Sequence, residues 1–451
     1  MVTEVVESKS NYQAAFNALR QASPTVPWVE PVRGSAMARF EKLGFPSVQE
    51  EDWRYTNLVP LAKTGFEPAT IEALRLVSLA DVARFGYSET TSSRVVLVNG
   101  FLSTELSSVE GLDSVVVLDL FSAIGDARYS RIVREYLARN ASYADRSLTA
   151  LNTAFLQSGL FVLIPKNVTL EAPLQIIYVS ASAKHASANF PRALVVSEEN
   201  SAATIIESFV AVGEGEYFSN SVVEIVLKEG ARLEHYRVQN ESARAIHVGT
   251  TSAELGRGSS YNATSITLGG RLSRHDIQVV MDHEGAECWV DGLYVVGSDQ
   301  HADTHSVIDH KQPSCTSRQL YKGILDGNGR AVFNGKVFVR HGAQKTDAMQ
   351  TNKNLLLSDR ARVDTKPQLE IFADDVKCAH GAAVGQIDQD ELFYLQTRGI
   401  NPDLGRNLLT YGFAEEVIGK IRINSIRSQL DEAVLNRLNT SLEAEAVASG
   451  Y

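Results

Sequence analysis

The sequence predicts a mainly β protein built on a parallel β-helix, with helical segments before and after it in the chain. Three observations carry that expectation. Between Leu160 and about Ile387, short β-rich runs such as SVVEIVL, YNATSITL and RAVFNGKVFV alternate with polar, glycine-containing turns, and no helical periodicity interrupts them. A loose turn signature recurs at Asn200-Ser-Ala202, Glu229-Gly-Ala231, Arg257-Gly-Ser259 and Glu284-Gly-Ala286, whose final residues lie 29, 28 and 27 apart. Such a period marks a solenoid, in which each coil buries its apolar face only when its neighbours stack on it. Finally, the hairpin turns and clean polar alternation that a β-sandwich needs are weak here.

Taken in order, the first ~90 residues carry apolar positions at helical spacing in Tyr12-QAAFNALRQ and Ser35-AMARFEKLG, the second ended by Gly44. Pro24, Pro27 and Pro31 mark a connector between them. Glu51-DWRYTNL follows, where Trp53 and Tyr55 lie near Arg54 and read as a packed aromatic with an arginine stacked or paired against it. Arg94-VVLVNG reads as a strand closed by a turn, and residues from about 118 to 158 as helices, Ser147-LTALNTAFLQSG most clearly. The repeat is lost between Gly297 and Gly327, where Asp299-QHADTHSVIDHKQPSCTSRQL reads as an inserted or extended loop. Helical signals return at Glu391-LFYLQTRG and at Asn401-Pro402-Asp403, an N-cap followed by a first-turn proline. Phe413, Val417, Ile418, Ile421, Ile426, Leu430, Val434 and Leu438 then form an amphipathic face, either a cap on the solenoid's own end or a partner-binding surface. The expected domains are 1–158, mainly helical; 159–388, the β-helix; and 389–451, helical.

A net charge of -11 argues against nucleic acid and anionic membrane surfaces, which both select basic proteins. The N-terminus lacks a basic stretch leading into an apolar core, and no apolar run approaches the ~20 residues of a membrane span. Three scattered cysteines, Cys288, Cys315 and Cys378, make no disulfide framework and fit a reducing cytoplasm.

Chemistry concentrates in Glu370-IFADDVKCAHGAAVGQID. On an extended strand Cys378 and His380 share one face. A thiolate and an imidazole form half a soft metal site, which needs about four ligands, so either the rest come from elsewhere or the pair packs without metal. The small residues around them permit close approach by another coil, another chain or a cluster. His301, His305 and His310, with Asp299, Asp303 and Asp309, read as a solvated or interface loop, and Cys288 as core. No phosphate-cradling loop is present, which argues against nucleotide hydrolysis by this chain. A β-helix can also serve a carbohydrate-active enzyme, with Asp276, Asp282, Glu284 or Asp291 as paired carboxylates.

The segment from Asp309 to Gln386, including DGNGRAVFNGKVFV, QTNKNLLLSDRA and DVKCAHGAAVG, resembles the core of the SufB/SufD family of iron-sulfur cluster assembly proteins. Shorter matches at Glu51-DWRYT, Asn152-TAF, Gly159-LFVLIPKNV and Phe393-YLQTRGI extend the resemblance over nearly the whole chain, and DVKCAHGA with EDWRYT follows the SufD pattern. The resemblance implies a right-handed parallel β-helix between helical domains in a non-enzymatic cytoplasmic subunit. Such a subunit pairs with SufB through the β-helix, or with a second copy of itself in isolation, and binds the ATPase SufC through its C-terminal helices. It implies that His380, and Cys378 with it, faces SufB where a transient iron-sulfur cluster forms, with His380 a metal ligand shared with that partner. No cofactor is then held by this chain alone, and ATP belongs to SufC. The SufC contact maps to Leu404, Tyr411, Phe413, Val417, Ile418 and Ile421.

Overall fold

In a computed structural model, which describes residues 2–22, 26–182 and 186–449, two long sheets run side by side along the chain's centre. From Arg192 onward successive strands alternate between the sheets and pair in parallel with the strand one coil away, the parallel β-solenoid that the sequence predicts. The sheets also take in Arg94–Val98, which pairs in parallel with Leu174–Ala181. Alternate side chains point into the lumen, where Ile205, Val223, Leu233, Val279, Cys288 and Phe333 stack coil on coil. Among the described residues no helix is long and apolar enough to cross a membrane.

One corner of each coil shows why the repeat exists. Asn200, Gly230, Gly258 and Gly285 all have positive φ, at 56°, 67°, 58° and 69°, the left-handed turn that glycine and asparagine accept at least cost. Each donates its backbone N–H to the corner of the next coil, as in Asn200 to Glu229 O and Gly230 to Arg257 O, both at 2.9 Å. The repeat continues through the stretch read as a loop. Ser314 and Lys345 hold the same corner at φ 60° without glycine, which hid the period. The residue after each corner, from Ser201, Ala231, Ser259 and Ala286 to Cys315 and Thr346, is buried in one small-residue column. Cys315 is thus a corner residue, and burial raises its thiol pKa. His301–His310 is a strand, paired over ten residues with both Leu272–Met281 and Arg330–Val339, and not an inserted loop.

Helices clad the outer faces. Tyr12, Phe16, Phe40, Leu151 and Phe155 pack on Phe218 and Val248 of one sheet and on Phe190 in the connection beside it. Helix Val29–Leu43 ends where the Gly44 N–H reaches Phe40 O at 2.7 Å. Pro31 lies in its first turn, where a missing N–H costs nothing, and not in the connector; Pro24 falls outside the described residues. Asn401 Oδ1 accepts from the Asp403 N–H at 2.8 Å and starts helix Pro402–Ile418. That helix, Asn424–Ser449 and the turn between them lay Val417, Ile418, Ile421, Ile426, Leu430 and Val434 on Tyr236, Ile266, Leu293 and Ile324 of the other sheet. The amphipathic face therefore docks on the solenoid's flank and not on its end.

Candidate functional site

The cladding stops before the last coil. Arg362–Ile371 and Lys377–Gly385 are the terminal strands of the two sheets, and each is paired on one side only. Uncovered sheet edges offer unpaired backbone groups to another chain. Pro367 blunts the first of them, since proline is tolerated in sheets only at edges. The second carries no proline.

Lys377–Gly385 fixes the two singled-out side chains by register. Cys378 lies opposite Ala348 and His380 opposite Gln350, both of which are buried in the lumen. Cys378 and His380 therefore share one face, as alternation predicts, and extend lumenal columns past the last closed rung. Cys378 is half-buried against the core, whereas His380 is exposed. Burial and the nearby Asp347 carboxylate raise the Cys378 thiol pKa, so in the lone chain it stays protonated and is a weak ligand. A Cβ added at Gly381 or Gly385 would meet nothing within 4 Å. The small-residue run thus leaves open space beyond what internal packing requires. Met349, Ile371, Phe372 and Val384, each 40–49% exposed, lie on the same coils. Among the described residues no group of three or more His, Cys, Asp and Glu side chains is arranged to hold a metal ion.

The other candidates lie elsewhere. His310 points into the lumen, bonded to Ser317 Oγ at 2.9 Å, and burial lowers its pKa to about 4. His301 and His305 face outward under the strap formed by Glu51-DWRYT. Thr56 Oγ1 donates to Asp303 at 2.5 Å and meets His301 Nε2 at 2.9 Å, while His305 Nε2 lies 3.1 Å from Asp303. Trp53 is stacked as predicted, but by the buried Arg274, whose guanidinium carbon lies 3.7 Å from the ring centroid. Arg274 in turn binds Asp276 and Asp303, each at 2.8 Å, and holds the Asp303 carboxyl well below its usual range although burial alone would raise it. Sequence reasoning passed over Arg274 and left Asp303 in a loop, because only strand register brings them to Trp53.

Asp276, Asp282, Glu284 and Asp291 are spent on Arg274, Lys311, Arg257 and Lys420 respectively. Asp276 and Asp291 stand on different sheets, so these two do not converge. Among the six residues expected to contact an ATPase partner, Val417, Ile418 and Ile421 are at most 1% exposed and hold the helices to the solenoid. They are not available as a surface. Tyr411 is half-buried, with its hydroxyl 3.3 Å from Glu415, and Phe413 lies under the Lys322 ammonium at 4.1 Å. Leu404 is 52% exposed, and the sequence reading missed its exposed neighbours Phe393, Tyr394 and Leu408.

The architecture is a helix-clad parallel solenoid with a thiol and an imidazole on the edge strand of its last coil. Sequence comparison supplies the family. Residues 178–413 match the SufBD core domain of the SUF system for FeS cluster assembly, and residues 6–176 match the SufBD protein N-terminal region. A SufBD family iron-sulfur cluster assembly protein of Synechocystis is 35% identical over 400 residues, 87% of each chain. The iron-sulfur cluster assembly protein SufD of Escherichia coli is 30% identical over 402 residues, 88% of this chain and 90% of that one. SufD of Bacillus subtilis is 29% identical over 326 residues, 70% of this chain and 72% of its own. The chain belongs to the SufB/SufD family of iron-sulfur cluster assembly proteins.

Proposed function

We propose that this chain is a SufD-type subunit that pairs with SufB through the bare end of its solenoid and helps to build an iron-sulfur cluster at that junction. The observation that carries this reading is the placement of His380 and Cys378 on one face of the last, uncovered strand, beside open space at Gly381 and Gly385. Two side chains leave a cluster under-ligated. The partner chain supplies the missing ligands, and its approach buries Met349, Phe372 and Val384. A second copy of this chain takes the same place when SufB is absent.

SufC docks on the helices Gln389–Thr397 and Pro402–Ile418, whose exposed Phe393, Tyr394, Leu404 and Leu408 supply apolar anchors. ATP binds to SufC and the chain itself catalyses nothing; the cluster is cargo, passed on once formed, in the cytoplasm. The domains at 1–158, 159–388 and 389–451 then divide the work into cladding, cluster-bearing scaffold and ATPase contact.

Gly381→Arg tests the pairing. Its side chain starts in open space, so the lone chain folds with an unchanged unfolding midpoint. The arginine fills the gap left for SufB, so the variant no longer co-purifies with SufB. A variant that still pairs with SufB at full yield would overturn the proposed surface.

A further inference from the structure

Behind His380 lies a buried hydrogen-bond column whose last acceptor is empty. Gln350, 1% exposed, lies directly opposite His380 in the parallel ladder, one strand spacing of about 4.8 Å away. Its Nε2 donates to Gln319 Oε1 at 2.6 Å, and Gln319 Nε2 donates to Ser306 Oγ at 2.7 Å. In this arrangement the Gln350 amide turns its donor end toward the column. The donor end is used, and Oε1 is buried with no hydrogen-bond partner.

A buried acceptor left unmade costs about 1–3 kcal/mol, so it calls for a reason. The amide also has a built seat. A Cβ on Gly335 would come within 2.3 Å of Gln350 Nε2, so only glycine leaves the amide its place. On the strand above, the column's neighbours are Cys378 and Ala382, and His380 alone carries a ring N–H that can fill the vacancy.

We propose that Gln350 is a positioning residue for His380, its Oε1 accepting one imidazole N–H so that the other ring nitrogen is held unprotonated and turned toward the partner chain. This rests on the functional reading above. It deepens that reading by giving the imidazole a fixed tautomer, as outer hydrogen-bond partners do for metal-binding histidines. Gln319 holds the Gln350 amide and Gly335 seats it. Pairing with SufB closes the mouth over His380 and excludes water that would compete for Gln350 Oε1.

The test uses the full chain with ¹⁵N-labelled histidine and reads the His380 ring tautomer from long-range ¹⁵N–¹H spectra at alkaline pH, with His380→Ala assigning the signal. The native chain shows one dominant tautomer. Gln350→Met removes the acceptor at nearly constant shape and gives a mixture, whereas Gln350→Glu restores the single tautomer. In the SufB–SufC complex, Gln350→Met lowers cluster yield about tenfold, at the lower end for outer-shell partners, while pairing persists. Should Gln350→Met fail to fold, Gln319→Leu replaces it, since it frees the amide to turn and also mixes the tautomers. An unchanged tautomer ratio in the folded variant overturns the proposal. The spectra need no cluster, so the positioning role stands or falls apart from the assembly role: normal assembly by His380→Ala would remove the functional reading and leave the tautomer result intact.

Discussion

Replacing Arg192 by methionine tests how the N-terminal helical region is fastened to the solenoid. Arg192 and Glu224 are both 0% exposed. Arg192 Nε and Nη2 donate to Glu224 Oε2 at 3.1 and 2.6 Å, and Nη1 donates to Asn152 Oδ1 at 3.0 Å and Thr153 Oγ1 at 3.1 Å. Glu224 also accepts from the backbone N–H groups of Ala138 and Ala141, at 3.1 and 3.0 Å. One buried ion pair thus ties helix Ser147–Ala154 and the 138–141 turn to two strands. Arg192→Met leaves the carboxylate buried with only two donors, and breaking a buried pair from one side costs about 3–5 kcal/mol. Arg192→Met/Glu224→Leu removes both charges, and apolar replacement of a whole buried pair is close to neutral or stabilising. The assay is urea unfolding followed by tryptophan fluorescence, because Trp28 and Trp53 report the N-terminal region and Trp289 the solenoid. The single variant should lose the Trp28 and Trp53 signal first and at lower urea. The double variant should recover most of the loss. A single-variant cost below about 1 kcal/mol, or a double variant no better than the single, would refute the reasoning.

Two further perturbations follow from burial. His310 titrates near 4 when folded and near its ordinary 6.5 when unfolded, so its contribution is complete above about 6.5 and is lost as pH falls from there toward 4. The 2.5-unit difference corresponds to about 3 kcal/mol; His247 and His275, lowered in the same direction by burial, steepen the loss. Urea midpoints measured between pH 7.5 and 4.5 should fall accordingly, and His310→Gln should flatten the curve. At the other flank, Ile421→Asp places a charge among Tyr236, Ile266, Leu293 and Ile324, costs about 3 kcal/mol and releases the C-terminal helices. Limited proteolysis should then cut between residues 386 and 424 while the solenoid stays resistant.

How much of this was legible in the sequence depended on whether the signal was local. The corners at Asn200, Gly230, Gly258 and Gly285 announce themselves through glycine and asparagine, and the β-helix follows. At Ser314 and Lys345 the same backbone conformation carries ordinary side chains, so the coil containing His301–His310 looked like a loop. The shared face of Cys378 and His380 needed only alternation along one strand. Gln350 is 30 residues away in sequence, and its place beneath His380 exists only once the register does. The same holds for Trp53 and Arg274. Amphipathicity located Val417, Ile418 and Ile421 but left open which surface they meet, and the flank of the solenoid takes them.

The central claim is that His380 serves cluster formation at a shared interface. Co-expression of this chain with SufB and SufC, followed by purification, anaerobic reconstitution and visible absorbance, tests it most directly. The account predicts a complex of all three chains whose iron-sulfur absorbance falls at least tenfold in His380→Ala, with complex mass and the lone chain's unfolding midpoint unchanged. Full absorbance from the His380→Ala complex, or a stable self-dimer that takes neither SufB nor SufC, would contradict it.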